Sequence, residues 1–107
     1  MRLKGKVAIV TGAGRGIGQA IARLFAQEGA KVALNYSKSE KGASSLADEI
    51  RKNGGEAFLV RADVSKADEV KRMIQKTIEK FGRIDVLVNN AGVLFPAAFL
   101  DLSLIHI

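Results

Sequence analysis

Val7-Ala8-Ile9-Val10-Thr11-Gly12-Ala13-Gly14-Arg15-Gly16-Ile17-Gly18 decides how the rest of this sequence is read. Val7 to Thr11 is an apolar, β-branched run of the kind that forms a strand buried on both faces. Glycines then stand at every second position, and Ile17, Ala20, Ile21, Leu24 and Phe25 follow at helical spacing. Strand, glycine turn and helix bring free backbone N–H groups and the positive end of a helix dipole to one point, a geometry suited to phosphate. Gly12 lets the chain turn sharply out of the strand, Gly16 admits a diphosphate to the backbone, and Gly18 lets the helix lie down on the strand.

Two commoner phosphate loops are excluded by the spacing. G-x-G-x-x-G fails because Ile17 and Ile21 stand where its third glycine would be, and no Gly-Lys-Ser/Thr follows to make a Walker loop. What remains is Thr11-Gly12-x-x-x-Gly16-x-Gly18. A glycine turn used only for tight packing is the alternative reading of the same residues.

Outward from this turn, strands and helices alternate. Lys31 to Tyr36 reads as a second strand, and a helix from near Ser39 carries Ala43, Leu46, Ala47 and Ile50 on one face before Asn53-Gly54-Gly55. Glu56 to Arg61 gives a third strand. Ser65 then reads as an N-cap with Asp68 as its partner, ahead of a helix from Lys66 to Phe81 whose stripe is Val70, Met73, Ile74, Thr77, Ile78 and Phe81. Ile84 to Asn89 is a fourth strand, leading into Asn90-Ala91-Gly92. The order β-α-β-α-β-α-β predicts an α/β fold, a doubly wound parallel sheet of strand order 3-2-1-4, with a ligand crevice beside the first strand.

Composition narrows the function classes. The chain has 107 residues, 48% of them hydrophobic and 26% charged, enough for one small domain or part of a larger one. No cysteine is present, which excludes a disulfide framework, an Fe–S cluster and a thiol nucleophile. The lone histidine, His106, argues against a His-based metal site, so no metal is expected. Neither a membrane-length apolar run nor a signal-peptide h-region occurs, so a cytoplasmic protein without membrane association is expected. The net charge of +6 is spread over lysines and arginines that alternate with carboxylates on the expected helices. A solvated helix surface accounts for that pattern better than a nucleic-acid groove.

Three motifs fall in one order: the glycine turn, then Asp63-Val64, then Asn89-Asn90-Ala91-Gly92. With them, the chain from Lys4 to about Leu102 closely resembles the amino-terminal part of the short-chain dehydrogenase/reductases. Leu34-Asn35-Tyr36-Ser37 and Asp85-Val86-Leu87-Val88-Asn89-Asn90 are most similar to the 3-oxoacyl-acyl-carrier-protein reductase and glucose dehydrogenase branches. The resemblance implies a truncated Rossmann-like fold, with residues 1–101 as the NAD(P)-binding half-domain of a carbonyl reductase or alcohol dehydrogenase. It also implies a homo-oligomeric parent.

For individual residues, the resemblance implies that Gly12, Arg15, Gly16, Ile17 and Gly18 line the diphosphate and adenosine ribose. Ser37, at the end of the second strand, belongs to the same set. Asp63 would accept a hydrogen bond from the adenine amino group, with the Val64 backbone alongside. Asn90, Ala91 and Gly92 would lie against the ribose and the nicotinamide, while Asn89 braces neighbouring strands. A 2′-hydroxyl is usually held by a carboxylate at the end of the second strand. Here Asn35-Tyr36-Ser37-Lys38 offers no acid before Glu40, and Arg15 and Lys38 are placed to meet a 2′-phosphate, so NADP(H) is expected over NAD(H).

Family chemistry needs a Tyr-x-x-x-Lys pair with a serine upstream, the tyrosine acting as proton donor. This chain's single tyrosine, Tyr36, is followed four residues later by Glu40, so no catalytic residue is assigned and the 107 residues are expected to be inactive alone. A stand-alone nucleotide-binding or regulatory module is the second reading. Leu102-Ser103-Leu104-Ile105-His106-Ile107 is the translation of CTG TCT CTT ATA CAC ATC, a transposase mosaic end. Residues 102–107 are therefore expected to be a non-native tail, an ordinary apolar strand or helix start being the alternative. Without a fifth strand, Ile84 to Val88 is expected to be an unpaired edge, with two helices on one sheet face and one on the other.

Overall fold

The computed structural model of the chain describes residues 2–14, 16–90 and 105–106. Three residues of the expected site, Arg15, Ala91 and Gly92, lie outside the described residues, as does most of the expected tail.

The apolar run around Ile9 forms β1 (Val7–Val10), the middle of the sheet, with all four residues buried. Helix α1 (Gly16–Gln27) carries the chain back to β2 (Lys31–Tyr36), and α2 (Glu40–Lys52) to β3 (Ala57–Arg61). Helix α3 (Ala67–Phe81) then returns across the sheet to β4 (Val86–Val88). A short β5 (Ile105–His106) completes the order β3-β2-β1-β4-β5, every pair parallel. The expected order of the first four strands is therefore the order found.

Alternation along the strands sorts the core into two layers. Ala8, Val10, Val32, Leu34, Val86 and Val88 point to the face covered by α1 and α2, packing with Ala22, Leu46, Ala47 and Ile50. Ile9, Ala33 and Leu87 point to the opposite face, where α3 lays Val70, Met73 and Ile74 against them. The last turn of α3 is held to β3 by an edge-on ring pair, Phe58 and Phe81, with centroids 5.3 Å apart. Two helices on one face and one on the other is the distribution that right-handed crossovers require of this strand order.

Four local expectations need correction. The edge of β4 is not bare, because Val86 and Leu87 are paired with Ile105 and His106 of the expected tail. Strand β4 is shorter than Ile84 to Asn89, since Asp85 turns its carboxylate onto the Val7 N–H at 2.9 Å. In α1, Ile17 and Leu24 are 71% and 54% exposed, while Gly18 and Ala22 are buried. Gly18 and Ala22, one turn apart, let the helix approach the sheet, and Ile21 and Phe25 of the expected stripe pack partly buried against the same core. Finally, Ser65 does not cap α3; Lys66 occupies the N-cap position without a side-chain hydrogen bond.

Candidate functional site at the carboxyl ends of the strands

The glycine turn leaves β1 at Thr11, whose buried hydroxyl donates to the Val88 carbonyl at 3.2 Å and accepts the Asn90 N–H at 2.9 Å. This one side chain joins the ends of β1 and β4. Gly12 then adopts φ +63°, which a side chain would strain. Its N–H donates to the Asn35 Oδ1 at 3.3 Å, and its carbonyl accepts the Asn90 Nδ2 at 3.2 Å. The next amide, Ala13 N–H, donates to the Asn35 carbonyl at 2.8 Å.

The remaining glycines are fixed by close approach. A Cβ on Gly18 would stand 2.2 Å from the Gly12 carbonyl oxygen and 2.5 Å from Asn90 Nδ2, so α1 rests directly on the turn. A Cβ on Gly14 would come within 2.5 Å of Ser39, and one on Gly42 within 1.7 Å of the Gly14 carbonyl oxygen. Backbone thus meets backbone where α2 begins, and Gln19 Nε2 adds a bond to the Gly42 carbonyl at 3.2 Å. Gly16, by contrast, has φ +62°, and among the described residues nothing lies within 4 Å of the place a Cβ would take. The open side of the turn is the one a diphosphate would approach, and the cradle fits such a group.

Asp63 follows β3. Its Oδ1 accepts the Ser65 hydroxyl at 2.6 Å and the Ser65 N–H at 2.9 Å. Those two bonds hold the carboxyl below its usual range against some desolvation, with the nearby Lys66 and Lys38 adding to the effect. Among the described residues, no hydrogen bond reaches Oδ2. Asp63 also donates its N–H to Glu69 Oε1 at 2.9 Å, which ties the strand end to α3. Val64 beside it is buried. Ser37 and Lys38 are exposed in the β2–α2 connection.

Tyr36 donates its hydroxyl to Glu40 Oε2 at 3.3 Å. Desolvation and the Glu40 charge both push the phenol above its usual range, the reverse of what a proton-donating tyrosine beside a lysine needs. The same bond engages Glu40, the first carboxylate in the chain after β2.

Gly12, Gly16, Ile17, Gly18, Ser37, Asp63, Val64 and Asn90 therefore all stand at the carboxyl end of the sheet, around the point where crossovers change direction beside β1. Asn89 is placed for bracing, with the Thr11 hydroxyl 3.5 Å from its Oδ1. Sequence reading missed Asn35, Gly14 and Gly42. Asn35 had one signal, a polar residue at a buried strand position; the two glycines had none, because their contact joins separate elements. Among the described residues, no His, Cys, Asp or Glu cluster could hold a metal ion, and no helix is long and apolar enough to cross a membrane.

Known proteins of the same build bear on this arrangement. An uncharacterized oxidoreductase of Methylorubrum extorquens is 46% identical over 105 residues, covering 98% of this chain and 42% of its own. A 3-oxoacyl-acyl-carrier-protein reductase of Synechocystis is 50% identical over 102 residues, covering 95% and 41%. The chain thus spans about two-fifths of the length of these relatives. Among solved structures, a short-chain dehydrogenase of Burkholderia cenocepacia in complex with NADP superposes with a TM-score of 0.83 at 43% identity, over 87% of this chain and 38% of that one. The family model for short chain dehydrogenases matches residues 6–106, nearly the whole length. Sequence pattern, strand order and these likenesses agree, and the chain belongs to the short-chain dehydrogenase family.

Proposed function

We propose that this chain is the dinucleotide-binding part of an NAD(P)(H)-dependent oxidoreductase that reduces carbonyls or oxidises alcohols. The observation that carries this reading is the open, cradle-shaped turn at Gly12, Gly16 and Gly18, set at the switch point of a parallel sheet. The relative that binds NADP shares this fold at 43% identity. Residues 1–101 hold every position of the reading. Gly16 and the first turn of α1 would meet the diphosphate, and Asp63 would offer Oδ2 to the adenine amino group. Asn90, Ala91 and Gly92 would flank the ribose and the ring. When bound, the nicotinamide supplies a hydride acceptor or donor.

NADP(H) is the favoured cofactor. Ser37 and Lys38 are exposed at the end of β2, and Glu40 is occupied by Tyr36. Arg15 and Lys38 would meet the 2′-phosphate. The protein is read as cytoplasmic, without membrane or nucleic-acid partners, its parent a homo-oligomer.

Titration calorimetry tests the reading. The 107-residue chain is expected to bind NADP⁺ about tenfold or more tighter than NAD⁺, the scale of one charge-assisted phosphate contact. Lys38→Glu is expected to remove that preference while sparing NAD⁺ binding. Equal or tighter binding of NAD⁺ overturns the cofactor choice, and failure to bind either overturns the reading. A second reading is a nucleotide-binding or regulatory module without catalysis, consistent with the absence of a Tyr-x-x-x-Lys pair from the 107 residues. A reading frame continuing into a serine and a Tyr-x-x-x-Lys would decide for the enzyme.

A further inference from the structure

Asn35 stands in β2 at 2% exposure, where Val32, Ala33 and Leu34 before it are apolar and buried. A valine would suit such a position, since burying an amide costs free energy unless its bonds are replaced. Here they are replaced in full. Oδ1 accepts the Gly12 N–H at 3.3 Å, and Nδ2 donates to the carbonyls of Val60 at 3.3 Å and Ala62 at 3.2 Å. The orientation of the amide is unambiguous, because one side faces an N–H and the other faces two carbonyls. Its own carbonyl takes the Ala13 N–H. Asn90 grips the same Gly12 from β4. A residue that breaks the local strand pattern while satisfying every bond elsewhere marks a functional constraint more often than a packing one.

We propose that Asn35 is a positioning residue for the dinucleotide, setting the span between the glycine turn and the end of β3 so that one ligand reaches both. The proposal rests on the cofactor reading above. Asn35 touches neither subsite directly; it acts through Gly12 and Ala13 on one side and through Ala62, the neighbour of Asp63, on the other. Ligands that bridge the span therefore depend on it, and ligands confined to one end of it do not.

The test compares two probes, NADP⁺, which bridges, and adenine, which meets only the end of β3. They are titrated against the 107-residue chain and its Asn35→Leu and Asn35→Asp variants, with folding followed by circular dichroism. Asn35→Leu is expected to weaken NADP⁺ about tenfold and adenine less than twofold. Asn35→Asp adds a pH signature. A carboxylate facing the Val60 and Ala62 carbonyls resists ionisation, whereas its protonated form can donate to one of them. NADP⁺ affinity of this variant is expected to approach wild type at pH 5 and to fall as pH rises to 8. The neighbouring ionisable groups, Tyr36, Glu40, Arg61, Asp63 and Glu69, are common to both proteins, so the wild-type profile is the baseline. Equal loss for both probes, or no loss, overturns the proposal, as does a flat Asn35→Asp profile relative to wild type. If Asn35→Leu does not fold, the Asn35→Asp profile decides alone. A wild type that binds no dinucleotide sinks the cofactor reading itself, and the positioning role with it.

Discussion

Asp85 anchors the start of the central strand pair. Its Oδ2 accepts the Val7 N–H at 2.9 Å, its own N–H donates to the Val7 carbonyl at 2.8 Å, and Arg83 holds Oδ1. Burial pushes this carboxyl up, but the Arg83 and Val7 hydrogen bonds outweigh it and leave the group below its usual range. A lowered carboxyl contributes stability that is complete above the unfolded value of about 3.9 and is lost as pH falls through the native value. The thermal midpoint is therefore expected to drop on acidification below about pH 4. Asp85→Ala is expected to flatten that drop and to lower stability at pH 7 by about 1–3 kcal/mol, since the Val7 amide loses its acceptor. Melts from pH 3 to 7 check both; an unchanged acid slope would show that other carboxylates set it.

At the scale of elements, the junction of α2 with the glycine turn is where local and tertiary preferences oppose each other. Gly42 lies in the first turns of α2, and alanine there would be favoured by helix propensity by about 1 kcal/mol. The contact with Gly14 reverses the sign, because the added methyl would stand 1.7 Å from a backbone oxygen. Gly42→Ala is expected to destabilise the chain by about 1–3 kcal/mol net, as overpacked sites do. Chemical denaturation reads the difference, and a stabilised variant would mean that α2 can lift from the turn without cost. The helix–turn–strand alternation around this junction was legible beforehand: glycines after helices and a 3.6-residue stripe in α3 follow from backbone conformation and burial. The seam was not legible, because no periodicity records which glycine of one element meets which of another.

For the whole molecule, the uneven covering of the sheet has a consequence in solution. Among the described residues, one face carries α1 and α2, the other α3, and Ile17, Leu24 and Ile78 are exposed. Net stabilities of domains are only about 5–15 kcal/mol, so uncovered apolar surface weighs heavily. The 107-residue chain is expected to self-associate at micromolar concentration and to melt well below intact family members. Leu24→Lys, which removes an exposed apolar side chain, is expected to shift sedimentation toward monomer without lowering the melting temperature. A wild-type monomer with a sharp, high melt would show that the described core suffices. The same chain is expected to show no reductase turnover, because it carries no Tyr-x-x-x-Lys pair to donate the proton. Cofactor-dependent turnover by a preparation free of host reductases would overturn that expectation.

By itself the sequence determined the class of the fold, the order of the first four strands and the end of the sheet where the site lies. Buried parallel strands are mostly apolar, crossovers are right-handed, and glycine adopts the φ of Gly12 at least cost, so these constraints are written in residue types and spacing. Tertiary structure alone decided that α1 buries Gly18 and Ala22 instead of Leu24, and that β5 pairs with Val86 and Leu87. It also placed Asn35 between Gly12 and Ala62. Each of these depends on which backbone groups from distant parts of the chain arrive within 3 to 4 Å of one another, and that distance is a property of packing.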